Sequence, residues 1–357
     1  MEQEVYHEKE RILTEEQASQ ILIVGGSTFP EHADVAARSI NTVPGEVKFK
    51  QFPDGEQHLE YLESVRGKQV FIIQSDYEVP SNVPGVEEGR LWTIDNSIQQ
   101  TALMIDAAER ASAKEIVVIK PYMAYARQDR KAIGREPISS AAHIHQYLAM
   151  GMKHIVTIDI HAPQLQAIHK HFDNLSATGR LANEVQSYIE SNDMDFDNVI
   201  FVSPDGGSLK LPTFFAKKLG GHADVMAKTR HKDGTVDHQD RIEGFGGRDC
   251  VLVDDMIATG GTLDSAIKVL RKSGVEKIIV AATHGLFSGP ALDRLSAAEL
   301  DQIIVTDSVP QKRNLEALGE DKLTVTEIST LIGKAIYELA TDGSVSSIFE
   351  SGKAFIR

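Results

Sequence analysis

The sequence predicts an α/β protein of two similar domains, each a mainly parallel sheet flanked by helices. Two observations indicate this class. Short apolar runs rich in valine and isoleucine recur along the 357-residue chain, and segments with the apolar spacing of amphipathic helices lie between many of them. Strands that alternate with helices form parallel sheets covered on both faces. About eight such strands over this length favour two domains rather than one.

Each apolar run is followed by a loop of polar and glycine residues. In open α/β sheets ligands bind beyond the carboxyl ends of the strands, so these loops mark the expected ligand edge of each sheet. Helices are predicted over residues 94–111, 137–150 and 264–272. The predicted strands span residues 21–24, 70–73, 116–119, 155–158, 199–202, 251–253, 278–282 and 303–305.

The chain divides into four predicted segments: an extension over 1–16, an N-terminal domain over 17–165, a C-terminal domain over 166–330, and a helix and tail over 331–357. The last segment is expected to pack back on the N-terminal domain. Two stretches interrupt the alternating pattern. Residues 77–90 are rich in proline, glycine and glutamate and look inserted, whereas residues 229–247 are charged and lack periodicity, as is typical of a mobile loop over an active site.

Composition excludes several classes of protein. The formal net charge is −15, which argues against a general binder of nucleic acids or membrane surfaces. No apolar run approaches the length of a membrane span, and the polar N-terminus lacks the pattern of a signal peptide. The single cysteine, Cys250, precedes an apolar strand and is expected to be buried. A cytoplasmic location is therefore expected.

The stretch from Val251 to Thr262 carries the most specific signal. Asp254 and Asp255 follow a buried strand, and a Thr-Gly-Gly-Thr loop then leads into a helix. Backbone amides, threonine hydroxyls and a helix N-terminus suit a phosphate monoester. Adjacent carboxylates suit sugar hydroxyls or a metal instead. The combination predicts a ribose 5-phosphate site, and the alternative is a plain strand–turn–helix with an acidic end.

Two further stretches of the C-terminal half could serve a diphosphate group. The loop from Ser203 to Ser208 contains Asp205, Gly206 and Gly207 and could hold a diphosphate by its amides with the carboxylate on a metal, or be an ordinary tight turn. Lys228 and Arg230 lie two apart on an extended segment and project the same way. They could neutralise charge on a transferring group, or belong to a basic surface loop.

The N-terminal half contributes three more stretches. The turn from Phe52 to Glu56 would pass for an ordinary surface turn by itself. Residues 122–131 are basic in an acidic protein and follow a predicted strand, so they favour a polyphosphate ligand over a solvated turn. His161 also follows a strand, in Asp-Ile-His-Ala-Pro, and lies on the predicted ligand edge.

These motifs, taken in order over about residues 20–350, resemble the PRPP synthetase (ribose-phosphate diphosphokinase) family, whose two domains have the phosphoribosyltransferase-type fold. The resemblance implies transfer of the β,γ-diphosphoryl group of ATP to the 1-hydroxyl of ribose 5-phosphate with Mg²⁺, giving PRPP and AMP. It also implies that the Phe52 turn reaches the ATP site of a neighbouring subunit, so a homo-oligomer is expected.

The resemblance assigns a role to each matching position. The implied roles are catalysis for Lys228 and Arg230; ATP binding for Phe52, Asp54, Glu56, Arg127, Gln128 and His161; ribose-phosphate binding for Asp254, Asp255, Thr259, Gly260, Gly261 and Thr262; diphosphate binding for Asp205, Gly206 and Gly207; and contact with Mg²⁺ for His161 and Asp205.

Two departures from the family pattern keep other functions open. Ala258 stands where many members have an aspartate, and Ser208 stands where a second glycine is usual. Because Ala258 is uncharged, it would repel a more anionic acceptor less than an aspartate would. ADP-ribose is therefore an alternative acceptor. A catalytically silent regulatory paralogue is disfavoured because Lys228, Arg230 and His161 are present. A phosphoribosyltransferase that uses PRPP would explain the Asp-Asp loop but not the N-terminal motifs.

Overall fold

The computed structural model describes residues 11–81, 83–84, 86, 89–204, 209–226, 228–230, 236–238 and 244–350, with the backbone alone for 228–230, 236–238 and 349–350. The described chain forms two compact units. The first extends to Ser176 and resumes at Ile328, and the second spans Ala177–Glu327. No helix in the described part of the chain is both long enough and apolar enough to span a membrane.

The helices are numbered in chain order. They are α1 Glu15–Ser19, α2 Glu31–Ser39, α3 Ile94–Arg110, α4 Ser139–Ala149, α5 Thr178–Ser191, α6 Lys210–Leu219, α7 Gly261–Lys272, α8 Ala291–Ala297, α9 Lys312–Leu318, α10 Ser329–Ala340 and α11 Ser347–Glu350. Short 3₁₀ turns cover Pro163–Ile168 and Phe196–Asn198.

The strands are numbered in the same way. They are β1 Ile21–Gly25, β2 Val47–Gln51, β3 Gln57–Tyr61, β4 Gln69–Ile73, β5 Val79–Pro80, β6 Leu91–Trp92, β7 Glu115–Lys120, β8 His154–Ile158, β9 Phe172–Leu175, β10 Val199–Ser203, β11 His222–Val225, β12 Lys228–Arg230, β13 Val236–His238, β14 Asp249–Ile257, β15 Ile278–Gly285, β16 Gln302–Thr306 and β17 Leu323–Thr326.

The first unit is built on a sheet whose strand order, β1-β4-β7-β8-β9, follows the order of the chain. Every neighbouring pair is parallel, so all five strands end at the same edge. Both faces are buried, as the apolar runs predict. One face packs on α3 and α4, and the antiparallel β2–β3 hairpin packs on the same core.

Helix α10 lies late in the sequence but belongs to the first unit, where it packs on α2. The two helices approach closely at Gly333. A Cβ atom there would lie 2.8 Å from the carbonyl oxygen of Ala36, so only glycine fits without a shift of the backbone. Arg11 adds a partly buried contact to this layer, since its Nε donates to Oε1 of Glu338 over 2.7 Å.

The second unit is built on a six-stranded sheet in the order β11-β10-β14-β15-β16-β17. All neighbouring pairs are parallel. The chain moves from β10 to β11 on one side and then returns to β14 on the other. The strand order therefore reverses between β10 and β14, which makes a crevice at their carboxyl ends, the preferred ligand position in such sheets.

The α/β class with parallel sheets in two domains is confirmed, and several element boundaries differ from the prediction. Strand β14 continues to Ile257 because it stays paired with β15 up to Gly285, so Asp254 and Asp255 lie inside the strand and not after it. Helix α7 begins at Gly261, earlier than predicted. At the irregular stretch 229–247, residues 228–230 and 236–238 form the antiparallel β12–β13 pair.

Candidate active site

The end of β14 brings two carboxylates to the crevice of the second unit. Asp254 and Asp255 are both half-buried. The backbone N–H of Asp255 donates to Oδ1 of Asp254 over 2.9 Å, which fixes the orientation of the first carboxylate. Both residues lie near the carboxyl end of β14, the edge at which ligands of such sheets bind.

The loop after β14 has the backbone of an anion-binding turn. Gly260 has a φ of 72°, in the left-handed region where a side chain is strained. It precedes the first residue of α7, and among the described residues no side chain caps this helix. The first amides of a helix have no acceptor within the helix. The amides at Gly261 and Thr262 are thus available to an anion.

The opposite side of this loop is anchored by hydrogen bonds to three successive carbonyl groups. The carbonyl of Ile257 accepts from the amides that follow β15, and the carbonyl of Ala258 accepts from the amide of Ser288 over 2.9 Å. The carbonyl of Thr259 accepts from Nη1 of Arg294, on α8, also over 2.9 Å. These bonds hold the loop in one conformation. Sequence reasoning missed Arg294.

A buried polar layer supports the turn that anchors the loop. Nδ1 of His284, at the end of β15, lies 2.9 Å from the hydroxyl of Ser308. The hydroxyl of Thr306 donates to the carbonyl of Thr283 over 2.7 Å. The side chain of Gln311 donates to the carbonyl of Gly285 over 2.9 Å. This layer fixes the path of the chain from β15 to α8.

The other predicted residues of the second unit are described in part. Asp205, Gly206 and Gly207 lie outside the described residues. Ser203, which precedes them, is the last residue of β10, the strand next to β14 at the crevice. Lys228 and Arg230 are the ends of β12, described by backbone alone, and its partner β13 lies beside α7.

In the first unit, the turn after β7 is anchored by a buried ion pair. Nζ of Lys120 donates to Oδ1 of Asp76 over 2.6 Å and to the hydroxyl of Thr101 over 2.8 Å. The other carboxylate oxygen of Asp76 accepts from the amide of Ala124 over 3.2 Å. Burial lowers the pKa of Lys120, and the charge of Asp76 opposes that shift. Sequence reasoning missed this pair.

Arg127 and Gln128 are exposed at the far end of the same turn. The side-chain carbonyl of Gln128 accepts from the hydroxyl of Ser139, and its backbone carbonyl accepts from the hydroxyl of Ser140 over 2.9 Å. The side-chain N–H groups of Gln128 therefore point away from α4. The exposed guanidinium of Arg127 adds positive charge, so the end of the turn is a donor surface suited to phosphate oxygens.

His161 follows β8 and is exposed at the same edge of the sheet. The turn before it includes Asp159, whose φ of 40° is unusual for a residue with a side chain. The amide of Ile160 donates to Oδ1 of Asn174 over 2.9 Å, which holds this turn against β9. The turns after β7 and β8 are also joined directly, because the side chain of Gln164 donates to Asp129.

Phe52, Asp54 and Glu56 lie in the loop of the β2–β3 hairpin. The ring of Phe52 is 38% exposed, and Nζ of Lys50 lies 4.9 Å from its centre. The amide of Glu56 donates to Oδ1 of Asp54 over 3.2 Å, so Asp54 helps to shape its own loop. The hairpin thus presents an exposed aromatic ring beside two carboxylates.

Among the described residues no three histidine, cysteine, aspartate or glutamate side chains form a group that could hold a metal by themselves. Mg²⁺ commonly binds through one or two carboxylates together with substrate phosphates and water. Of the two residues predicted to contact the metal, His161 is exposed at the carboxyl edge of the first sheet, and Asp205 lies outside the described residues. An exposed imidazole at this edge fits a magnesium ion that arrives with a phosphorylated ligand and is held mainly by that ligand and water.

Comparison with known proteins identifies the two units. Residues 21–151 match the family model described as the N-terminal domain of ribose phosphate pyrophosphokinase, and residues 223–350 match the phosphoribosyl synthetase-associated domain. A ribose-phosphate pyrophosphokinase of Corynebacterium glutamicum is 36% identical over 92% of this chain and 96% of its own length. One from Streptomyces coelicolor is 36% identical over 93% and 96%.

A solved structure shows the same similarity. The crystal structure of phosphoribosylpyrophosphate synthetase from Mycobacterium smegmatis superposes with a TM-score of 0.78 and 31% identity, over 91% of this chain and all of that one. The fold and the anchored loop define a two-domain α/β protein with ligand loops at the carboxyl edges of parallel sheets. The chain belongs to the ribose-phosphate pyrophosphokinase family. The family predicted from the sequence motifs is confirmed.

Proposed function

We propose that this protein transfers the β,γ-diphosphoryl group of ATP to the 1-hydroxyl of ribose 5-phosphate, with release of AMP. The observation that carries the proposal is the loop from Thr259 to Thr262, which combines a left-handed Gly260, uncapped helix amides and carbonyls anchored from behind. Two relatives that match this chain over 96% of their own length are named ribose-phosphate pyrophosphokinase. ADP-ribose as acceptor has no support from these relatives.

On the acceptor side, the proposed roles follow from chemistry. The amides of Gly260, Gly261 and Thr262 and the threonine hydroxyls donate hydrogen bonds to the 5-phosphate. Asp254 and Asp255 accept hydrogen bonds from the ribose hydroxyls. A rigid loop lowers the entropy that is lost on binding, so the sugar can be held in a reactive orientation.

On the donor side, Arg127 and Gln128 bind the polyphosphate of ATP with their exposed N–H groups. Phe52 stacks on the adenine, and Asp54 and Glu56 accept hydrogen bonds from its 6-amino group. These three residues act on the ATP of a neighbouring subunit, so the active protein is a homo-oligomer.

The buried Cys250 agrees with a cytoplasmic location, where thiols stay reduced.

In the reaction the 1-hydroxyl oxygen of the ribose attacks the β-phosphorus of ATP. The bond from that phosphorus to the oxygen shared with the α-phosphate breaks, the electron pair leaves on AMP, and the proton of the 1-hydroxyl is released to solvent. Lys228 and Arg230 neutralise the charge of the transferring group. Bound Mg²⁺ would neutralise the phosphate oxygens, and His161 and Asp205 are the residues proposed to contact it, the latter from the Gly206-Gly207 loop that holds the diphosphate.

The test of the reaction is AMP release from ATP and Mg²⁺ with ribose 5-phosphate and ADP-ribose in separate reactions, with product masses read in each. AMP together with a ribose 5-phosphate 1-diphosphate is expected from the first reaction. AMP only in the second would move the proposal to the larger acceptor. No AMP in either, from folded protein, would overturn the enzymatic proposal in favour of a regulatory role.

A mixing experiment tests the shared site. One variant carries Phe52→Ala and Asp54→Ala, and the other carries Lys228→Ala and Arg230→Ala. Each is expected to be inactive alone. If the hairpin serves a neighbouring subunit, mixed oligomers contain some intact sites, and activity returns after subunit exchange. Activity that stays absent in oligomers shown by mass to be mixed would place the hairpin in its own subunit's site.

A further inference from the structure

We propose that Asp76 and Lys120 act as a positioning pair that holds the turn of residues 121–128 in the conformation that binds ATP. The proposal rests on the proposed function, in which Arg127 and Gln128 at the end of this turn contact the polyphosphate. Neither Asp76 nor Lys120 reaches the ligand surface itself. Lys120 is 1% exposed and Asp76 is 2% exposed.

The pair joins three separate parts of the first unit. Asp76 follows β4, Lys120 ends β7, and Thr101, on α3, accepts from the lysine. Nζ of Lys120 also lies 5.5 Å from the centre of the Tyr147 ring, on α4. The ammonium group is therefore surrounded by one carboxylate, one hydroxyl and one aromatic face.

Asp76 holds the turn at two points. Its backbone N–H donates to the carbonyl of Tyr122 over 3.0 Å, and its Oδ2 accepts from the amide of Ala124. A charged acceptor makes a stronger hydrogen bond than a neutral one. The carboxylate thus fixes the first half of the turn. Its charge determines the strength of the hydrogen bond from the amide of Ala124.

Lys120 holds that carboxylate in place, because its Nζ donates to Oδ1 while Oδ2 faces the amide of Ala124. The lysine also balances the negative charge, which would be costly in an apolar interior without a positive partner. Without the lysine, the carboxylate would lose the contact that keeps it directed at the amide of Ala124. The lysine therefore acts on the turn through Asp76.

The turn needs this external support. Tyr125 has a φ of 59°, a region that is uncommon for residues with a side chain. The second half of the turn is held by the bonds from Ser139 and Ser140 to Gln128. Loss of the Asp76 anchor frees the first half of the turn, so Arg127 keeps only the support on its Gln128 side and is no longer fixed in position, while the sheet remains.

The decisive variant replaces the whole pair by apolar residues of similar size, Asp76→Val with Lys120→Met. Each single substitution leaves a buried charge unpaired and is expected to lower the melting temperature. The double substitution removes both charges, so the melting temperature is expected to recover. ATP binding is not expected to recover, because the amide of Ala124 still lacks its acceptor.

The readout is the Kd of α,β-methylene ATP, in which the bond broken in the reaction is replaced by a stable one, measured with Mg²⁺. The double variant is expected to raise this Kd about tenfold and to leave the KM for ribose 5-phosphate unchanged. Asp173→Asn is the matched control, because its 2.7 Å pair with His154 lies in the same sheet away from the turn. It is expected to leave the Kd unchanged.

The outcomes separate this proposal from the proposed function. A double variant with recovered melting temperature and wild-type Kd overturns the positioning role and leaves the function standing. Wild type that binds the analogue but releases no AMP overturns the function, while the Kd still tests the pair. If the double variant does not fold, Asp76→Asn, which keeps the shape and removes the charge, is expected to raise the Kd, and an unchanged value overturns the proposal.

Discussion

The two sheets of this protein place ligand loops at their carboxyl edges by different means. In the second unit the strand order reverses between β10 and β14, and the loop after β14 is held through its own backbone carbonyls. In the first unit the strand order follows the chain without reversal. Its ligand turns are held by side chains, chiefly Asp76, Gln128 and Gln164.

The difference predicts how each region responds to substitution. A crevice made by topology needs few specialised side chains, so those that line it have large individual effects. A turn held by many side-chain hydrogen bonds keeps most of them when one is removed. The loss of any one bond is therefore expected to have a modest effect on ligand binding. The second unit is therefore expected to respond steeply to changes in the carboxylates of β14, and the first unit is expected to respond less steeply when a single bond of a turn is removed.

The largest effect is expected from Asp254→Asn with Asp255→Asn. Both carboxylates lose their charge and half of their acceptor capacity, so kcat/KM for ribose 5-phosphate is expected to fall roughly a thousandfold. Asp293→Asn, an exposed carboxylate on α8, is the control and is expected to be neutral. A fall of less than tenfold in AMP release would remove these carboxylates from the site and weaken the contrast between the units.

A smaller effect is expected from Arg294→Met. The carbonyl of Thr259 loses its partner at 2.9 Å, and the loop gains freedom that must be lost again when phosphate binds. The KM for ribose 5-phosphate is expected to rise about fivefold, the equivalent of a partly exposed charge-assisted hydrogen bond worth about 1 kcal/mol. Arg110→Met, at an exposed ion pair on α3, should not change it. An unchanged KM in the α8 variant would show that the backbone bonds to residues 257 and 258 are sufficient.

These two cases also show what the sequence could and could not predict. The loop after β14 was predictable because its signals, two carboxylates and a Thr-Gly-Gly-Thr turn, are adjacent in the chain. Arg294 was not, because its partner lies 35 residues away. Lys120 and Asp76 are separated by 44 residues, and a lysine at the end of an apolar strand is usually solvated. Side-chain pairing over such distances leaves no local pattern.

The same reasoning explains which strands were predicted. The central strands are continuous apolar runs because both of their faces are buried. The β2–β3 hairpin alternates half-buried and exposed positions, with Lys48 and Lys50 on the exposed face. Its first strand therefore has little apolar character, and the sequence predicts only the turn around Phe52. The short strands β9, β11 and β17 carry too few residues to show a period.

In the first unit, Tyr125→Phe is expected to have a modest effect. The hydroxyl of Tyr125 donates to Oδ1 of Asp95 over 2.8 Å, and this hydrogen bond raises the pKa of Tyr125. The bond is fully present below the unfolded pKa of about 10 and is lost only as pH rises through the higher folded value. The KM for ATP is expected to rise about twofold, equally at pH 7 and pH 9. Tyr188→Phe, in the second unit, is the control.

An effect that differs between pH 7 and pH 9 would contradict that assignment, because the tyrosine remains protonated at both values. A tenfold rise in the KM for ATP would contradict the shared anchoring of the turn. It would mean that Tyr125 alone holds the turn after β7. Arg294, by contrast, is expected to share the support of the loop after β14 with backbone hydrogen bonds.

The smallest effect concerns the amino edge of the first sheet, where the centre of the His171 ring lies 5.7 Å from that of His154 and 5.6 Å from that of His169. Partial burial, followed by the charges of Lys170 and the neighbouring histidines, lowers the pKa of His171. A lowered folded pKa means that the unfolded chain takes up the proton first. Stability is therefore lost as pH falls below the unfolded value of about 6.5, and the loss levels off below the folded value.

His171→Gln is expected to remove that loss, by about 0.5 kcal/mol or less after solvent screening. Because the two units need not unfold together, the measurement is hydrogen exchange of the β8–β9 peptides at pH 7.5 and 5.5, where the variant should exchange more slowly than wild type at the lower pH only. His222→Gln, an exposed histidine of the second unit, is the matched control. Equal protection of wild type and the His171 variant at both pH values would show that these histidines do not make the first unit sensitive to acid.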